Sequence, residues 1–470
     1  MLAAGLVLPW LLGVTVVLFA RSVRRPLDGP GEAAWIAGTG YLVGALLLTL
    51  WMRTLSIAGV RFGVIAIAGP LLALAMVLGI HVRRRDGDAV SSAMRTAFHA
   101  LLDAPELHGG ARLAWRLLLA WIALRFVLLG LDVAWQPLYP WDAWTQWATK
   151  ARVWYELGRL VPFASADAWF AADGAAYFDA WPDHPPTLPL LQVWTCIALG
   201  HWDDTLMNWT WWQVAAALAA AVYGALRSLE VSALGALVAT FLVTSLPLAN
   251  IHVALAGYPD LPMAAYYACA VAAFLRWVAT RDRYDAALVA LLAFACTQIV
   301  NPGLGWALTL VPGLIVALLP RTGLKIATAG LAALLFLLAV AAQTSFVIMG
   351  HTAHLQFAPA WPAFGESYFV LGSWNLLWYG VIVVVPLAGR SLVSPALAPL
   401  TLVAAAGALF VLAVFAFPAI ALWLGDQITL NRVTLQFAPV AIIFTVLAFH
   451  AFSMRWISAA ADGRSARPAE

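Results

Sequence analysis

The chain has 470 residues, of which 63% are apolar and only 10% charged, and its mean hydropathy is +0.87. No water-soluble fold hides that much apolar surface, so a soluble globular protein is excluded and an all-α polytopic membrane protein is implied. The net charge of +3 excludes little, because where the charges fall along the chain matters more than their sum.

A helix needs about 20 apolar residues to cross a bilayer core. The runs that meet or approach this length are 2–20, 33–52, 62–82, 117–133, 204–226, 232–252, 261–279, 285–300, 304–320, 326–348, 374–389, 396–420 and 433–453, about thirteen transmembrane helices. The first lacks a basic n-region and an A-x-A site, so it is expected to be a retained span rather than a cleaved signal. Between the third and fourth runs lies a charged stretch, with a mildly amphipathic part near Ser91 to Leu102 that reads as a surface helix or linker. Residues 187–200 are apolar but too short to cross, and are expected as a shallow interfacial helix. Residues 134–203 then form one large loop containing juxtamembrane helices, with seven Trp from Trp135 to Trp181. Cys196, Cys269 and Cys296 suggest neither a disulfide framework nor a metal-thiolate spacing, and no repeat of 20–50 residues is visible.

Lys and Arg favour the cytoplasmic side. With the N-terminus outside, 19 of the 26 basic residues are cytoplasmic, six are external and Arg125 lies within a span. The opposite orientation inverts that count. The loop 134–203 is therefore expected outside, and the C-terminus inside. Three segments follow: residues 1–112, a three-helix membrane segment with a cytoplasmic linker; residues 113–455, the main membrane module; and residues 456–470, a cytoplasmic tail.

The external face carries few charges, and they recur at the ends of spans. Asp142 stands in Tyr139-Pro140-Trp141-Asp142-Ala143-Trp144-Thr145-Gln146-Trp147-Ala148-Thr149-Lys150-Ala151-Arg152, just after an apolar run. Asp183-His184-Pro185-Pro186 closes the same loop. Asp260 stands in Gly257-Tyr258-Pro259-Asp260-Leu261-Pro262, and Arg432 opens the last span. A carboxylate can act as general base towards an acceptor hydroxyl or amine. A second carboxylate can hold a sugar hydroxyl or a divalent cation, which the sequence does not require. An Arg can grip a phosphate and stabilise its leaving charge. Such a set suits group transfer from a lipid phosphate, with Asp142 and Asp260 as catalytic candidates and Lys150, His184, Tyr258, Arg432, Trp144 and Trp147 as substrate-binding candidates.

Each residue also has a plainer reading. Asp142 and Asp260 could cap helices. Lys150 shares a helical face with Trp147 and Trp154, and could bind a donor phosphate or simply snorkel to the interface. His184 could be a packed loop residue. Arg125, an ionisable group near mid-span, is read as structural, paired with Asp132 or another polar group of the bundle. His351 and His354 with Glu366 could bind a metal, but a polar loop rim is the favoured reading. The external Trp are more often an interface belt than a sugar platform.

The Asp at the start of the first large external loop, the His-Pro-Pro-x-x-Pro-Leu segment from His184 to Leu190, and the second Asp opening a later span resemble the GT-C glycosyltransferases. The likeness is to the family 39 type, which includes protein O-mannosyltransferases and lipid A aminoarabinose transferases. The Trp-Asp-Ala-Trp…Trp…Lys-Ala form is most similar to uncharacterised bacterial members. The resemblance covers residues 113 to about 455 and leaves the first three spans outside the pattern. It implies a GT-C-like core, Asp142 as the catalytic base, Asp260 as the later acid and Arg432 near the lipid phosphate. It also implies an inverting transfer from a polyprenyl-phosphate sugar donor to a lipid, glycan or protein acceptor. The site would face the periplasm or exterior of a bacterial inner (plasma) membrane. Membrane lipids are expected partners, and nucleic acid is not. The alternative is a multi-span transporter or lipid flippase, for which repeated halves and mid-membrane polar residues on broken helices would argue. A non-catalytic scaffold is the weaker third option.

Overall fold

The structure is a computed structural model, and it describes residues 2–22, 29–171, 177–341, 345–348, 351–354, 357, 359, 361–416 and 427–465. It is almost wholly helical. The helices are α1 (Leu2–Ser22), α2 (Glu32–Ile57), α3 (Val64–Asp103), α4 (Gly109–Trp135), α5 (Thr149–Leu157), α6 (Ala166–Ala171), α7 (Thr187–Leu199), α8 (Trp209–Ser228), α9 (Ala233–Thr244) and α10 (Pro247–Ala254). There follow α11 (Asp260–Thr280), α12 (Arg283–Thr297), α13 (Gly303–Leu308), α14 (Leu310–Leu318), α15 (Gly323–Ala341), α16 (Trp361–Gly365), α17 (Leu377–Ala388), α18 (Ala398–Ala416) and α19 (Gln427–Ser465). Short strands β1 (Phe163–Ala164) and β2 (Tyr177–Phe178) pair in parallel, and β3 (Ser345–Ile348) pairs antiparallel with β4 (His351–His354).

Every apolar run in the sequence is helical over most of its length. Among the described residues, however, eight helices are long and apolar enough to span a membrane, or nine if α9 and α10 are one broken span. The count is lower than thirteen for physical reasons. The run 304–320 is split into α13 and α14, and α12 and α17 are short. The run 204–226 gives α8, which is not among the eight, whereas the run 326–348 still supplies one of them as α15, and its residues 345–348 form β3. Residues 417–420, at the end of another expected span, lie outside the described residues. The α9–α10 pair bends by 60° where Pro247 opens α10, a position whose missing N–H costs no helical bond. Helix α3 kinks at Asp86, and its second half carries the surface helix expected near Ser91 to Leu102.

The core is organised around α11, in which every residue from Asp260 to Arg276 is buried. Small residues at Ala264, Ala265, Ala268, Ala270, Ala272 and Ala273 let the neighbouring helices approach closely, which is how helices associate where lipid offers no hydrophobic drive. Helices α1 and α2 meet backbone to backbone in the same way: a Cβ at Gly44 would fall on the carbonyl of Pro9. Helices α1 and α2, from the segment expected at 1–112, pack closely on the rest of the bundle. Helix α2 packs on α8, and Glu32 bridges Arg21 and Arg276 at 2.5 and 2.8 Å. Arg276 also meets Asp285 at 3.1 Å. This buried charge network ties α1, α2, α11 and α12 together at the end of the bundle away from Asp260. The tail expected at 456–470 begins as a continuation of α19, which runs to Ser465.

Helix α7 is as short as expected and is packed inside the protein rather than exposed on its surface. Residues from Thr187 to Cys196 are all buried, and the Trp194 indole donates to the Gly5 carbonyl at 2.8 Å. Its apolar surface is covered by α1, α2 and α5 rather than by lipid. The three cysteines are free and buried.

Candidate functional site

The elements that carry the acids meet because one glycine allows it. Gly257 has φ +113, and a Cβ there would come within 2.5 Å of the Ala143 Cβ. The Tyr258-Pro259-Asp260 turn therefore rests directly against the segment that follows Asp142. That segment, Ala143–Ala148, is a π-helix, a wide turn often found at functional sites. It leaves Trp144 44% exposed, edge-on to Trp141, while Trp147 is buried at 2%.

Arg432, in the first turns of α19, joins the two acids. Its Nη1 donates to Asp142 Oδ2 at 2.7 Å, and its Nε donates to Asp260 Oδ2 at 2.8 Å. The Tyr258 ring lies under the guanidinium, 4.2 Å from centroid to carbon, in a cation–π contact. The Tyr258 carbonyl accepts from the Trp211 indole at 2.7 Å, and burial pushes the Tyr258 hydroxyl above its ordinary pKa. Neither carboxylate is spent on capping. Asp142 makes no side-chain cap bond, and both Asp260 oxygens are taken by other side chains.

The two acids are held very differently. The Asp260 side chain is 4% exposed and that of Asp142 31%. Asp260 Oδ1 accepts from Gln436 Nε2 at 2.7 Å, and Gln436 Oε1 accepts from the Trp306 indole at 2.6 Å. His252 Nε2 stands 3.6 Å from Asp260 Oδ2. The other nitrogen of His252 lies 2.9 Å from the Leu248 carbonyl, which can only accept, so Nδ1 carries a proton. Asp142, by contrast, commits Oδ2 to Arg432, and its Oδ1 has no hydrogen-bond partner among the described residues. Asp260 is thus a fixed, buried anchor, and Asp142 is an oriented carboxylate with one oxygen open.

His184 flanks the site, stacked on Trp147 at 4.8 Å with 19° between the planes, and its Nδ1 is buried without a partner. Burial, with the nearby Lys150 cation adding to it, pulls its pKa down to about 4, so the ring is neutral at pH 7. Lys150 does not present itself to a ligand. It is 1% exposed, its ammonium donates to the Trp181 carbonyl at 2.6 Å, and it lies 3.4 Å from Asp179 Oδ1. Asp179 also accepts from the Trp181 N–H at 2.7 Å. The Lys150 charge ties the 179–181 segment to α5, and its ammonium is turned inward rather than towards solvent. Burial lowers Lys150 and raises Asp179 from their ordinary pKa values.

The structure therefore brings Asp142, Asp260, Tyr258 and Arg432 together, with His184 beside them. It places Trp144 at the open rim and turns Trp147 and Lys150 inward. His252, Gln436, Trp306 and Asp179 belong to the assembly and were not singled out by sequence reasoning. Arg125 is not paired with Asp132, which stands seven residues, about 10 Å, further along the same helix. The side chains of His351 and His354 lie outside the described residues, and Glu366 accepts from Gln427 instead. Among the described residues no group of three or more His, Cys, Asp or Glu is arranged to hold a metal ion.

The fold and its apolar helices define a polytopic integral membrane protein with a carboxylate–arginine–carboxylate cluster at one end of the bundle. No protein-family model matches the chain, and neither a curated protein nor a solved structure matches it.

Proposed function

We propose that the chain is an integral-membrane glycosyltransferase that moves a sugar from a polyprenyl-phosphate donor to an acceptor on the outer face of the membrane. The observation that carries this reading is the setting of Asp142: paired with Arg432 through Oδ2, part-exposed, and with Oδ1 lacking a hydrogen-bond partner among the described residues. In this reading Oδ1 takes the acceptor proton as the acceptor attacks the anomeric carbon, and the lipid phosphate departs in a single inverting displacement. Arg432 aligns both acids, and the N–H groups it does not spend on them are available to the donor phosphate. Asp260, held by Arg432 and Gln436 and flanked by His252, keeps the guanidinium in place. The membrane would hold about thirteen crossing or part-crossing segments, with the N-terminus and the site outside and the basic clusters within, as the Lys and Arg distribution favours. The membrane proposed is a bacterial inner membrane.

One observation favours the alternative of a transporter or lipid flippase. The broken pair α9–α10 ends beside the cluster and supplies His252, and broken helices with ionisable groups are a transporter device. The deciding experiment uses purified protein with a polyprenyl-phosphate sugar and candidate acceptors. Product formation abolished in Asp142→Asn supports the transferase. Substrate flux into proteoliposomes without any product supports the alternative.

A further inference from the structure

A cavity of about 1040 Å³ lies between α4, the α9–α10 bend, α17 and α19. Its walls are mostly apolar, among them Trp121, Ile251, Leu376 and Ile442, and its size is at the upper end for small-molecule sites. Among the described residues, Arg125 is the one charged residue in this lining. It sits ten residues before the end of α4, about 15 Å along the helix axis, at a depth where an unpaired charge is costly.

Three side-chain donors of the lining are already occupied. Asn375 Nδ2 donates to the Ser245 carbonyl at 3.0 Å, Asn250 Nδ2 to the Leu246 carbonyl at 3.0 Å, and the Thr445 hydroxyl to the Ala441 carbonyl at 2.7 Å. Arg125 has no hydrogen bond or ion pair to another described residue. Arg432, by contrast, is shared between two carboxylates. A cation without a counter-charge among the described residues, beside a large apolar void at membrane depth, calls for a ligand that supplies both a negative head and an apolar chain.

We infer that this cavity binds one long-chain amphiphile with a single acidic head, its chain along the apolar walls and its head on Arg125. The site is separate from the Asp142–Arg432 cluster, and the inference does not depend on sugar transfer.

The test titrates the purified full chain, in a neutral detergent, with hexadecyl phosphate, hexadecanol or inorganic phosphate, and counts retained adducts by native mass spectrometry. One hexadecyl phosphate per chain is expected, with hexadecanol and inorganic phosphate at least tenfold weaker. Arg125→Gln should weaken the phosphate ester tenfold or more, and Arg125→Lys should recover part of the loss. A Cβ at Gly380 meets nothing within 4 Å, so Gly380→Phe can enter the void without a backbone clash and should abolish retention. Asp142→Asn should retain the adduct unchanged, whatever it does to transfer. Equal retention of hexadecanol, unaffected by Arg125→Gln, would make the cavity a plain apolar void and overturn the inference. Wild-type retention in Gly380→Phe would place the ligand elsewhere and overturn it too, as would inorganic phosphate binding as tightly as the ester. Size-exclusion profiles like that of the wild type show that each variant is folded.

Discussion

Arg432 and Asp142 are 290 positions apart in sequence and meet at 2.7 Å, Nη1 to Oδ2. The contact makes the loop after α4 and the start of α19 one unit. The same guanidinium reaches Asp260, so a single side chain sets the distance and orientation of both acids.

Removing that side chain should cost stability as well as activity. Arg432→Ala leaves Asp260 buried without its cation, a change that typically costs about 3–5 kcal/mol. Arg432→Lys should recover only part, because an ammonium cannot hold two carboxylates through a rigid fork. Thermal unfolding in detergent measures this. The double variant Arg432→Ala/Asp260→Asn should be more stable than Arg432→Ala alone. Equal stability of wild type and Arg432→Ala would mean that the cluster holds nothing together.

The Lys150–Asp179 pair gives a sharper contrast. Both side chains are at most 1% exposed, so Lys150→Met should destabilise by about 3–5 kcal/mol through the orphaned Asp179 carboxylate. Lys150→Met/Asp179→Leu should regain most of the loss and keep donor affinity near that of the wild type. A stable double variant that no longer binds donor would instead make Lys150 a ligand.

His184 gives a pH dependence. Its pKa is about 4 in the fold against an ordinary 6.5, so the unfolded chain takes up a proton first as pH falls. Its contribution is complete above pH 6.5 and is lost progressively towards pH 4. The unfolding temperature of the wild type should therefore fall more steeply over this interval than that of His184→Gln. Parallel curves would show that the ring titrates normally.

Orientation is testable with single cysteines. Tyr139 is 75% exposed at the cluster end, and Glu230 lies at the turn after α8. In intact cells an impermeant thiol reagent should label Tyr139→Cys and spare Glu230→Cys. The reverse pattern would invert the topology.

The site was largely legible in the sequence because its charges stand at the ends of apolar runs, where Asp142, Asp260 and Arg432 have no company. His252 was not, because it sits between Ile251 and Val253 inside a run that reads as one span. Pro247 marks the start of α10, but the direction of the bend there, which brings that histidine to Asp260, is not given by the proline itself. Lys150 misled because its partner lies 29 residues on, across a loop without periodicity. Helix α7 misled in the opposite sense. An apolar segment too short to cross was expected at the lipid surface, yet it can equally be covered by other helices, and hydropathy does not distinguish the two. The pairing of α1 and α2 with the rest of the core rests on Glu32, an acid that reads as an ordinary loop charge until Arg21 and Arg276 close on it.

The most direct test is the transfer rate of Asp142→Asn, with purified protein and a working polyprenyl-phosphate sugar. Asparagine keeps the shape and an oxygen that can accept from Arg432, so folding and donor binding should stay near wild type. It cannot take the acceptor proton, and turnover should fall about 10²- to 10⁴-fold. Turnover equal to the wild type would contradict the account, leaving Asp142 a structural partner of Arg432 and the function to another part of the chain.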